Sequence, residues 1–378
     1  MRKIICFLIS CAMLLFQTAV FAENVETDAK AVILIEQSTG DVLYEENADE
    51  QLPIASVTKI MTMLLIMEDI DSGVMSLDDM VSVSPNAMSY GGSTMFLEAG
   101  EELSVNDMLK GIAVASANDG CVAMAEHMTG SESAFVEKMN EKAAELGMAN
   151  THFSNTNGLD DDTHYSSARD VAIMSRELLT HEKIFDYTTI WTDSLRDGKF
   201  ELANTNKLIR YYDGANGLKT GSTSKALCCI SASAKRDNMQ LIAVVLGAPT
   251  SDERFKSARN LLDYGFANYS IDTLAEEGEE IERVTVAKGV AETVGAVAAE
   301  NCSALFKRGE SKDAEREVVL DDKITAPVKA GDKIGTLSFS VNGKTIAQTD
   351  LLAAEDVNKK GIGLILKQFF INILGGIL

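Results

Sequence analysis

One stretch dominates the interpretation of this sequence: Leu52-Pro53-Ile54-Ala55-Ser56-Val57-Thr58-Lys59-Ile60-Met61-Thr62. Apolar residues continue after it at helical spacing, which predicts a buried helix over residues 56–70. Residues three apart lie on the same face of a helix, so this helix would place the Ser56 hydroxyl one turn from the Lys59 amine. A nucleophile beside a possible base, at the positive end of a helix dipole, is typical of covalent catalysis.

The Ser-x-x-Lys spacing is weak evidence when it stands alone, because Ser222 and Lys225 have the same spacing. A second motif strengthens it. Ser116 and Asn118, as Ser-x-Asn, lie between two apolar helical segments, where a loop would present a hydroxyl and a carboxamide. Without further support this element would be an ordinary turn.

A third motif, Lys219-Thr220-Gly221, follows two glycines and precedes a predicted strand. An ammonium and a hydroxyl at a strand edge could line a bound substrate. The ordinary interpretation is the start of a hairpin with an exposed lysine. The three motifs therefore support one another by their order and setting more than by any single match.

In this order the motifs resemble the signature of the penicillin-recognising serine hydrolases, with Ser-x-x-Lys on a helix, Ser-x-Asn on a loop and Lys-Thr-Gly on a strand. The chain as a whole resembles the D-alanyl-D-alanine carboxypeptidases, low-molecular-mass penicillin-binding proteins that trim cell-wall peptides. The resemblance extends over residues 153–159 and over both ends of the chain. It implies a penicillin-binding, β-lactamase-like fold, a peptidoglycan pentapeptide ending in D-Ala-D-Ala as substrate, and binding of β-lactam antibiotics.

The resemblance also implies a role for each motif residue. Ser56 would attack the carbonyl of the penultimate D-alanine to form an acyl-enzyme, while Lys59 accepts its proton and Ser116 relays a proton to the leaving amine. The backbone N–H groups of Ser56 and Ser222 would form the oxyanion hole. The residues expected to hold the substrate are Asn118, Lys219, Thr220, Gly221, Ser222 and Arg254. No metal and no other cofactor is expected.

Lys59 can accept a proton only when it is neutral. A free lysine titrates near ~10.4, so the site must lower the pKa of Lys59, and we expect burial and a second ammonium, Lys219, to do so. The terminal carboxylate of the substrate also requires cations. Arg254 could supply one from the first turn of a predicted helix, or it could be a surface charge neutralised by Asp252 and Glu253.

Two alternative functions share this fold. A β-lactamase is also acylated on serine, but class A members usually carry a Glu-x-x-x-Asn element, whereas the candidate helix here has Glu177 followed by His181. A non-catalytic penicillin-sensing or wall-binding protein would keep the fold without turnover. The intact motif residues make that interpretation the weaker one.

Strand and helix signals predict an α+β domain over residues 23–272. A hairpin over residues 31–46 opens it, helices follow, and strands return over residues 227–234 and 241–246. We expect the strands from the two ends of the domain to share one antiparallel sheet covered by helices. After an acidic break, short alternating runs and the turn Asn342-Gly343 predict a small, all-β, sandwich-like domain over residues 273–356.

The two ends of the chain have distinct compositions. Residues 1–22 combine a basic start, an apolar run and small residues before a cleavage position after Ala22, which predicts a secretory signal peptide rather than a transmembrane anchor. Residues 357–378 contain three lysines, no acid and an apolar helical face. They predict an amphipathic helix that anchors an exported protein at the outer face of the cytoplasmic membrane; a helix packed on the core is the alternative.

The composition excludes several classes of protein. A chain of 378 residues with 46% hydrophobic content has room for a core and suits about two domains. The 57 acidic residues against 34 Lys and Arg give a formal charge of -23, which argues against binding to nucleic acid.

Neither cysteine nor histidine indicates a metal or disulfide framework. Cys121, Cys228, Cys229 and Cys302 would remain after signal cleavage and include no Cys-x-x-Cys, so we expect buried thiols. The four histidines form no zinc motif. His164 could be mistaken for a catalytic base, although nothing in the sequence places it near the motif serine.

Overall fold

The computed structural model describes residues 25–309, 313–321 and 323–363. The predicted signal peptide lies outside the described residues, as does the larger part of the predicted anchor, residues 364–378. In the described part of the chain, no helix is both long enough and apolar enough to span a bilayer.

Helices and strands alternate in the order that the sequence patterns predict, with strands at both ends of the first domain. The helices are α1 Lys59–Asp71, α2 Pro85–Met88, α3 Val105–Val114, α4 Asn118–Thr129, α5 Glu132–Glu145, α6 Ala168–Leu178, α7 Phe185–Thr188, α8 Leu208–Tyr211 and α9 Ser251–Asn268, with 3-10 turns at Ala55–Thr58 and Glu182–Ile184. The strands of the first domain are β1 Ala31–Glu36, β2 Val42–Glu46, β3 Met80–Ser82, β4 Glu102–Ser104, β5 Thr192–Leu195, β6 Phe200–Ala203, β7 Ala215–Thr223, β8 Leu227–Arg236 and β9 Met239–Ala248. The strands that follow are β10 Tyr269–Ala275, β11 Glu280–Thr285, β12 Thr293–Ala298, β13 Cys302–Lys307, β14 Glu315–Leu320, β15 Lys333–Val341 and β16 Lys344–Ala353.

The main sheet of the first domain is antiparallel, with the strand order β2-β1-β9-β8-β7. Strand β1, near the start, pairs with β9, near the end of the domain, in a register that places Val32 opposite Val245. The prediction that strands from the two ends share one sheet is confirmed. Strand β7, which carries the Lys-Thr-Gly motif, lies at the edge, where a ligand could approach it.

Both faces of this sheet are covered by helices. Along β1, Ala31, Ile33 and Ile35 pack into the large core that also contains the apolar side of α1. Val32 and Leu34 point to the opposite face, where they meet α9. The five apolar residues of β1 are buried because alternate side chains of a strand enter opposite layers, and each layer is apolar. The fold is therefore an α+β sandwich of helices around a central antiparallel sheet.

Local capping signals determine where two of the covering helices begin. The Ser104 hydroxyl accepts from the backbone N–H of Asp107 at 3.1 Å, and the Ser167 hydroxyl accepts from that of Asp170 at 3.1 Å. Each bond satisfies an amide that would otherwise have no partner in the first turn of α3 or α6. In each case an aspartate follows the serine by three residues, which is a sequence pattern typical of a helix N-terminus.

The second domain is all-β. Strands β11, β12, β14, β15 and β16 form one antiparallel sheet, and β10 pairs with β13. Its own core includes Val294, Leu337 and Leu351. The predicted hairpin at Asn342-Gly343 is present between β15 and β16, and both residues have the positive φ that a tight hairpin turn requires.

The ends of the second domain differ in detail from the sequence-based boundaries. The predicted boundary between residues 272 and 273 falls inside β10, which begins at Tyr269 directly after α9. At the other end, Val357 is buried and pairs with Val328, and Lys359 pairs with Gly289. The first residues of the predicted anchor thus pack on the β domain.

The four cysteines of the described residues are free thiols. Cys121, Cys229 and Cys302 are buried, as expected, whereas Cys228 is partly exposed beside Ser222 on the neighbouring strand.

Candidate active site

Ser56 lies in a tight turn at the start of α1. The predicted helix over residues 56–70 begins instead with the 3-10 turn Ala55–Thr58, because Ala55 has a φ of +48°, which does not continue into an α-helix. Gly158 packs directly against this turn, and a Cβ there would lie 1.8 Å from the Ala55 carbonyl oxygen. The close approach of a second segment therefore holds the Ser56 turn in place.

Lys59 points its amine at this turn and is completely buried. Its Nζ lies 2.9 Å from Ser56 Oγ, 2.7 Å from Asn118 Oδ1 and 2.7 Å from the Asn157 carbonyl oxygen. The structure thus joins the first motif to the second. It also adds Asn157, for which the sequence supplied no chemical pattern.

The Ser-x-Asn motif forms the other wall of the site. Ser116 is buried with a φ of +64°, and Asn118 is the first residue of α4 rather than part of a loop. The Asn118 Nδ2 group donates to the Gly91 carbonyl at 2.7 Å, which fixes its Oδ1 toward Lys59. Ser116 is close in sequence to this contact but is not one of the three hydrogen-bond partners of Lys59.

Strand β7 closes the site from the opposite side. A Cβ at Gly221 would lie 2.7 Å from the Ser56 amide nitrogen, so the strand packs on the Ser56 turn without space for a side chain. Lys219 is completely buried and donates to the Thr220 carbonyl at 2.9 Å, while the Thr220 hydroxyl donates to Thr205 Oγ1 at 2.8 Å. Ser222 follows on the exposed edge.

Burial controls the charge state of the two lysines. It lowers the pKa of Lys59 to about 8, which is partly opposed by the nearby Cys121 and Asp119. Burial also lowers the pKa of Lys219 well below its usual value, with a further lowering by the charge of Lys59. Because repulsion between two ammonium groups is mutual, the pair releases one proton more readily than either amine would alone. Burial therefore acts on the pKa of Lys59 as the sequence analysis expected, whereas the effect of the neighbouring ammonium is seen on the pKa of Lys219.

Arg254 is buried behind β7 rather than exposed on its helix. Its guanidinium donates to the Gly221 carbonyl at 3.1 Å and to the Cys229 carbonyl at 3.3 Å, and burial lowers its pKa. The alternative of a surface charge neutralised by its acidic neighbours is wrong. The positive charge lies beneath the strand that carries Lys219.

Several residues at this site could not be identified from the sequence. Asn157 contacts Lys59, Gly158 packs on the Ser56 turn, and His164 contacts Thr58 at 2.7 Å. In the sequence, the segment over residues 153–159 is distinguished only by its resemblance to the carboxypeptidases. In the part of the chain that the structure describes, no three metal-ligating side chains lie together.

Comparisons with known proteins identify the family of this fold and site. A family model described as D-alanyl-D-alanine carboxypeptidase matches residues 17–250, and one described as penicillin-binding protein 5, C-terminal domain, matches residues 269–359. The chain is 45% identical to the D-alanyl-D-alanine carboxypeptidase DacF of Bacillus subtilis over 97% of both chains. The chain belongs to the D-alanyl-D-alanine carboxypeptidase family.

Solved structures of relatives support this assignment. Penicillin-binding protein 5 from Haemophilus influenzae is 32% identical, with a TM-score of 0.76 over 88% of this chain and 98% of that one. Penicillin-binding protein D2 from Listeria monocytogenes, in its ampicillin-bound form, is 32% identical, with a TM-score of 0.57 over 64% of this chain and 99% of that one. As a family member, the chain is a serine-type D-alanyl-D-alanine carboxypeptidase, and the β-lactamase and sensor alternatives are not favoured.

The contact between β7 and the Ser56 turn generates a prediction for this carboxypeptidase. We expect Gly221→Ala to slow labelling by penicillin at least roughly tenfold, because a methyl group there must displace the strand from Ser56, and small displacements of reacting groups cost large factors. The rate of labelling by a fluorescent penicillin measures the effect. Gly361→Ala, where a methyl group meets no neighbour within 4 Å, is the matched control. Wild-type labelling by the Gly221 variant would contradict the assigned geometry.

Proposed function

We propose that this protein removes the terminal D-alanine from peptidoglycan stem peptides through an acyl-enzyme on Ser56, with Lys59 as the base. The observation that carries the proposal is the 2.9 Å contact between Lys59 Nζ and Ser56 Oγ, made by an amine that is completely buried. Burial favours the neutral amine, and the contact places that amine within reach of the hydroxyl proton.

The other partners of Lys59 determine the direction of its lone pair. A neutral amine has two hydrogens and one lone pair. The Asn157 carbonyl can only accept, and Asn118 presents Oδ1 because its Nδ2 is bonded to Gly91, so these two oxygens take the two hydrogens. The lone pair is left for the Ser56 hydroxyl, which donates its proton to it. This arrangement supports Lys59 as the base.

The reaction then proceeds in two steps. Ser56 Oγ bonds to the carbonyl carbon of the penultimate D-alanine as its proton passes to Lys59, and the backbone N–H groups of Ser56 and Ser222 stabilise the oxyanion. The C–N bond breaks, the proton reaches the leaving amine through Ser116, and D-alanine departs. Water, activated by Lys59, hydrolyses the ester and regenerates the hydroxyl. The close packing of Gly221 on the Ser56 amide supports a shared oxyanion hole.

The positive charges at β7 support recognition of a terminal carboxylate. The buried Arg254 lies beneath Gly221 and adds positive charge to the strand that also carries Lys219 and Thr220. In a site with little water these charges act more strongly than at the surface. The selected substrate is thus a peptide that ends at the cleaved residue. Asn118 has one amide hydrogen left to hold the substrate backbone.

A β-lactam would enter the same site and acylate the same serine. The Listeria monocytogenes relative was solved in an ampicillin-bound form, and it shares this fold. We therefore propose that penicillin labels Ser56 and that the ester hydrolyses slowly.

The sequences of the two ends of the chain support a location outside the cytoplasm. We propose that residues 1–22 are a cleaved signal peptide and that the basic, apolar C-terminal segment binds the outer face of the cytoplasmic membrane. The substrate, a cell-wall peptide, is located on that side of the membrane.

Ser56→Ala should abolish both covalent labelling by penicillin and release of D-alanine from a D-Ala-D-Ala peptide, because it removes the attacking atom. Mass spectrometry of the labelled peptide and an assay for free D-alanine measure the two activities. Ser194→Ala, the same change at an exposed position, should leave both intact. A covalent penicillin adduct on another residue of the Ser56 variant would overturn the assignment.

The pKa of Lys59 predicts how activity depends on pH. Because the base must be neutral and burial lowers its pKa to about 8, kcat/KM should rise with pH and level off above about 8, with a loss of about tenfold per pH unit below it. A pH series of D-alanine release from a dilute peptide gives this profile. A rate that does not change between pH 6 and 9 would exclude Lys59 as the titrating base.

Removal of residues 364–378 should move the protein from the membrane to the soluble fraction. The cut is placed after Gly363 because Val357 and Lys359 pack on the β domain. Cell fractionation followed by penicillin labelling measures location and folding together. A labelled, truncated protein that still sediments with membranes would contradict the proposed anchor.

A further inference from the structure

A buried histidine lies behind the turn that carries Ser56. His164 is 4% exposed and belongs to a segment 106 residues from its contact, Thr58. Its Nε2 lies 2.7 Å from Thr58 Oγ1, and its Nδ1 accepts from the Ser154 backbone N–H at 3.0 Å. Both ring nitrogens therefore have partners inside the protein.

The partners determine the tautomer of the ring. The Ser154 backbone N–H can only donate, so Nδ1 carries the lone pair and the proton of the neutral ring is on Nε2. The Thr58 hydroxyl donates to the Ala55 carbonyl at 2.8 Å and therefore accepts from Nε2–H. Three hydrogen bonds thus form a series: the Ser154 N–H donates to His164, His164 donates to the Thr58 hydroxyl, and that hydroxyl donates to the Ala55 carbonyl.

The series ends at the strained residue of the nucleophile turn. Ala55 adopts a φ of +48°, in the left-handed region that is unfavourable for a residue with a side chain. A hydrogen bond to its carbonyl, from a hydroxyl that is itself oriented, stabilises that conformation. Because Ser56 follows Ala55 and Lys59 follows Thr58, the same turn sets the distance between nucleophile and base.

We propose that His164 is a positioning residue: its neutral ring orients the Thr58 hydroxyl, which holds the Ala55 carbonyl and so presents Ser56 to Lys59. The inference rests on the proposed function of Ser56. His164 is not the base, because its Nε2 proton is used by Thr58 and its Nδ1 lone pair by Ser154.

The surroundings of His164 keep it neutral over the pH range of the reaction. Burial lowers the pKa of His164 to about 4; Asp161 and Asp160 oppose this change, and His152 and Lys59 add to it. Protonation would place an N–H at Nδ1 facing the Ser154 N–H and break that bond. Since the ring stays neutral well above pH 4, His164 should not contribute to a titration near pH 8.

The experiment compares variants that keep or remove the donor to Thr58. His164→Gln keeps an N–H that can reach Thr58, whereas His164→Phe keeps the bulk of the ring and loses the N–H donor. We expect the second-order rate of penicillin labelling at Ser56 to fall about tenfold in His164→Phe, the loss of one buried hydrogen bond, and less than about threefold in His164→Gln. In both variants the rate should still titrate near pH 8. Equal rates for wild type and the Phe variant, or loss of the titration in the Gln variant, would overturn the proposal.

Two further variants separate positioning from a general effect on folding. Thr58→Val removes the hydroxyl at the other end of the bond, so the double variant with His164→Phe should be no slower than the slower single variant. A loss of labelling rate in the double variant equal to the product of the two single losses would contradict the hydrogen-bonded series. If the His164 variants do not fold, Thr58→Val decides alone, and a wild-type labelling rate would reject the inference.

The remaining controls distinguish this inference from the proposed function. His152→Gln, the same change at an exposed histidine, should leave the rate unchanged, and a tenfold loss there would show that the effect is not specific to His164. Wild-type protein without an adduct on Ser56 would reject the proposed function. A normal adduct in wild type with unchanged rates in the His164 and Thr58 variants would reject the positioning role alone.

Discussion

The site depends on one constraint: an amine that is completely buried must find three oxygen partners and, in the proposed reaction, serve as the base. Lys59 meets this constraint with the Ser56 hydroxyl, the Asn118 carboxamide and the Asn157 carbonyl. A charged amine without water is costly, so burial lowers its pKa to about 8. The Asn118 and Asn157 oxygens can only accept, so they take the two hydrogens of the neutral amine. The lone pair of the amine is then left for the Ser56 hydroxyl. Burial thus favours the neutral amine that the proposed base requires, and the hydrogen bonds orient it.

The rest of the first domain can be understood as support for that contact. Helix α1 places the amine under the turn, the loop around Gly158 presses on the turn from one side, and β7 packs on it at Gly221 from the other. The Ser56 turn is strained at Ala55, and strain of this kind persists only where neighbouring structure over-determines it. The buried Arg254, bonded to carbonyls of β7 and β8, holds the strand in place and supplies charge.

Much of this architecture could be predicted because it is encoded locally. Short runs of apolar residues predicted β1 and β9, and Asn342-Gly343 predicted a hairpin. The proximity of Ser56 and Lys59 was also predicted, although from an α-helix where the structure has a 3-10 turn. For Arg254 the sequence allows both a surface charge and a site residue, since helical periodicity cannot show that the guanidinium binds a carbonyl of β7.

The sequence by itself therefore determined the family, the two-domain order and the pair of groups that we propose to react, because each is carried by residue identity at short spacing. The tertiary structure decided which distant segments complete the site. Asn157 is 98 residues from Lys59, and His164 is 106 residues from Thr58. Such contacts leave no periodic signal, because they follow from the packing of the sheet, the helices and one irregular loop against a single turn.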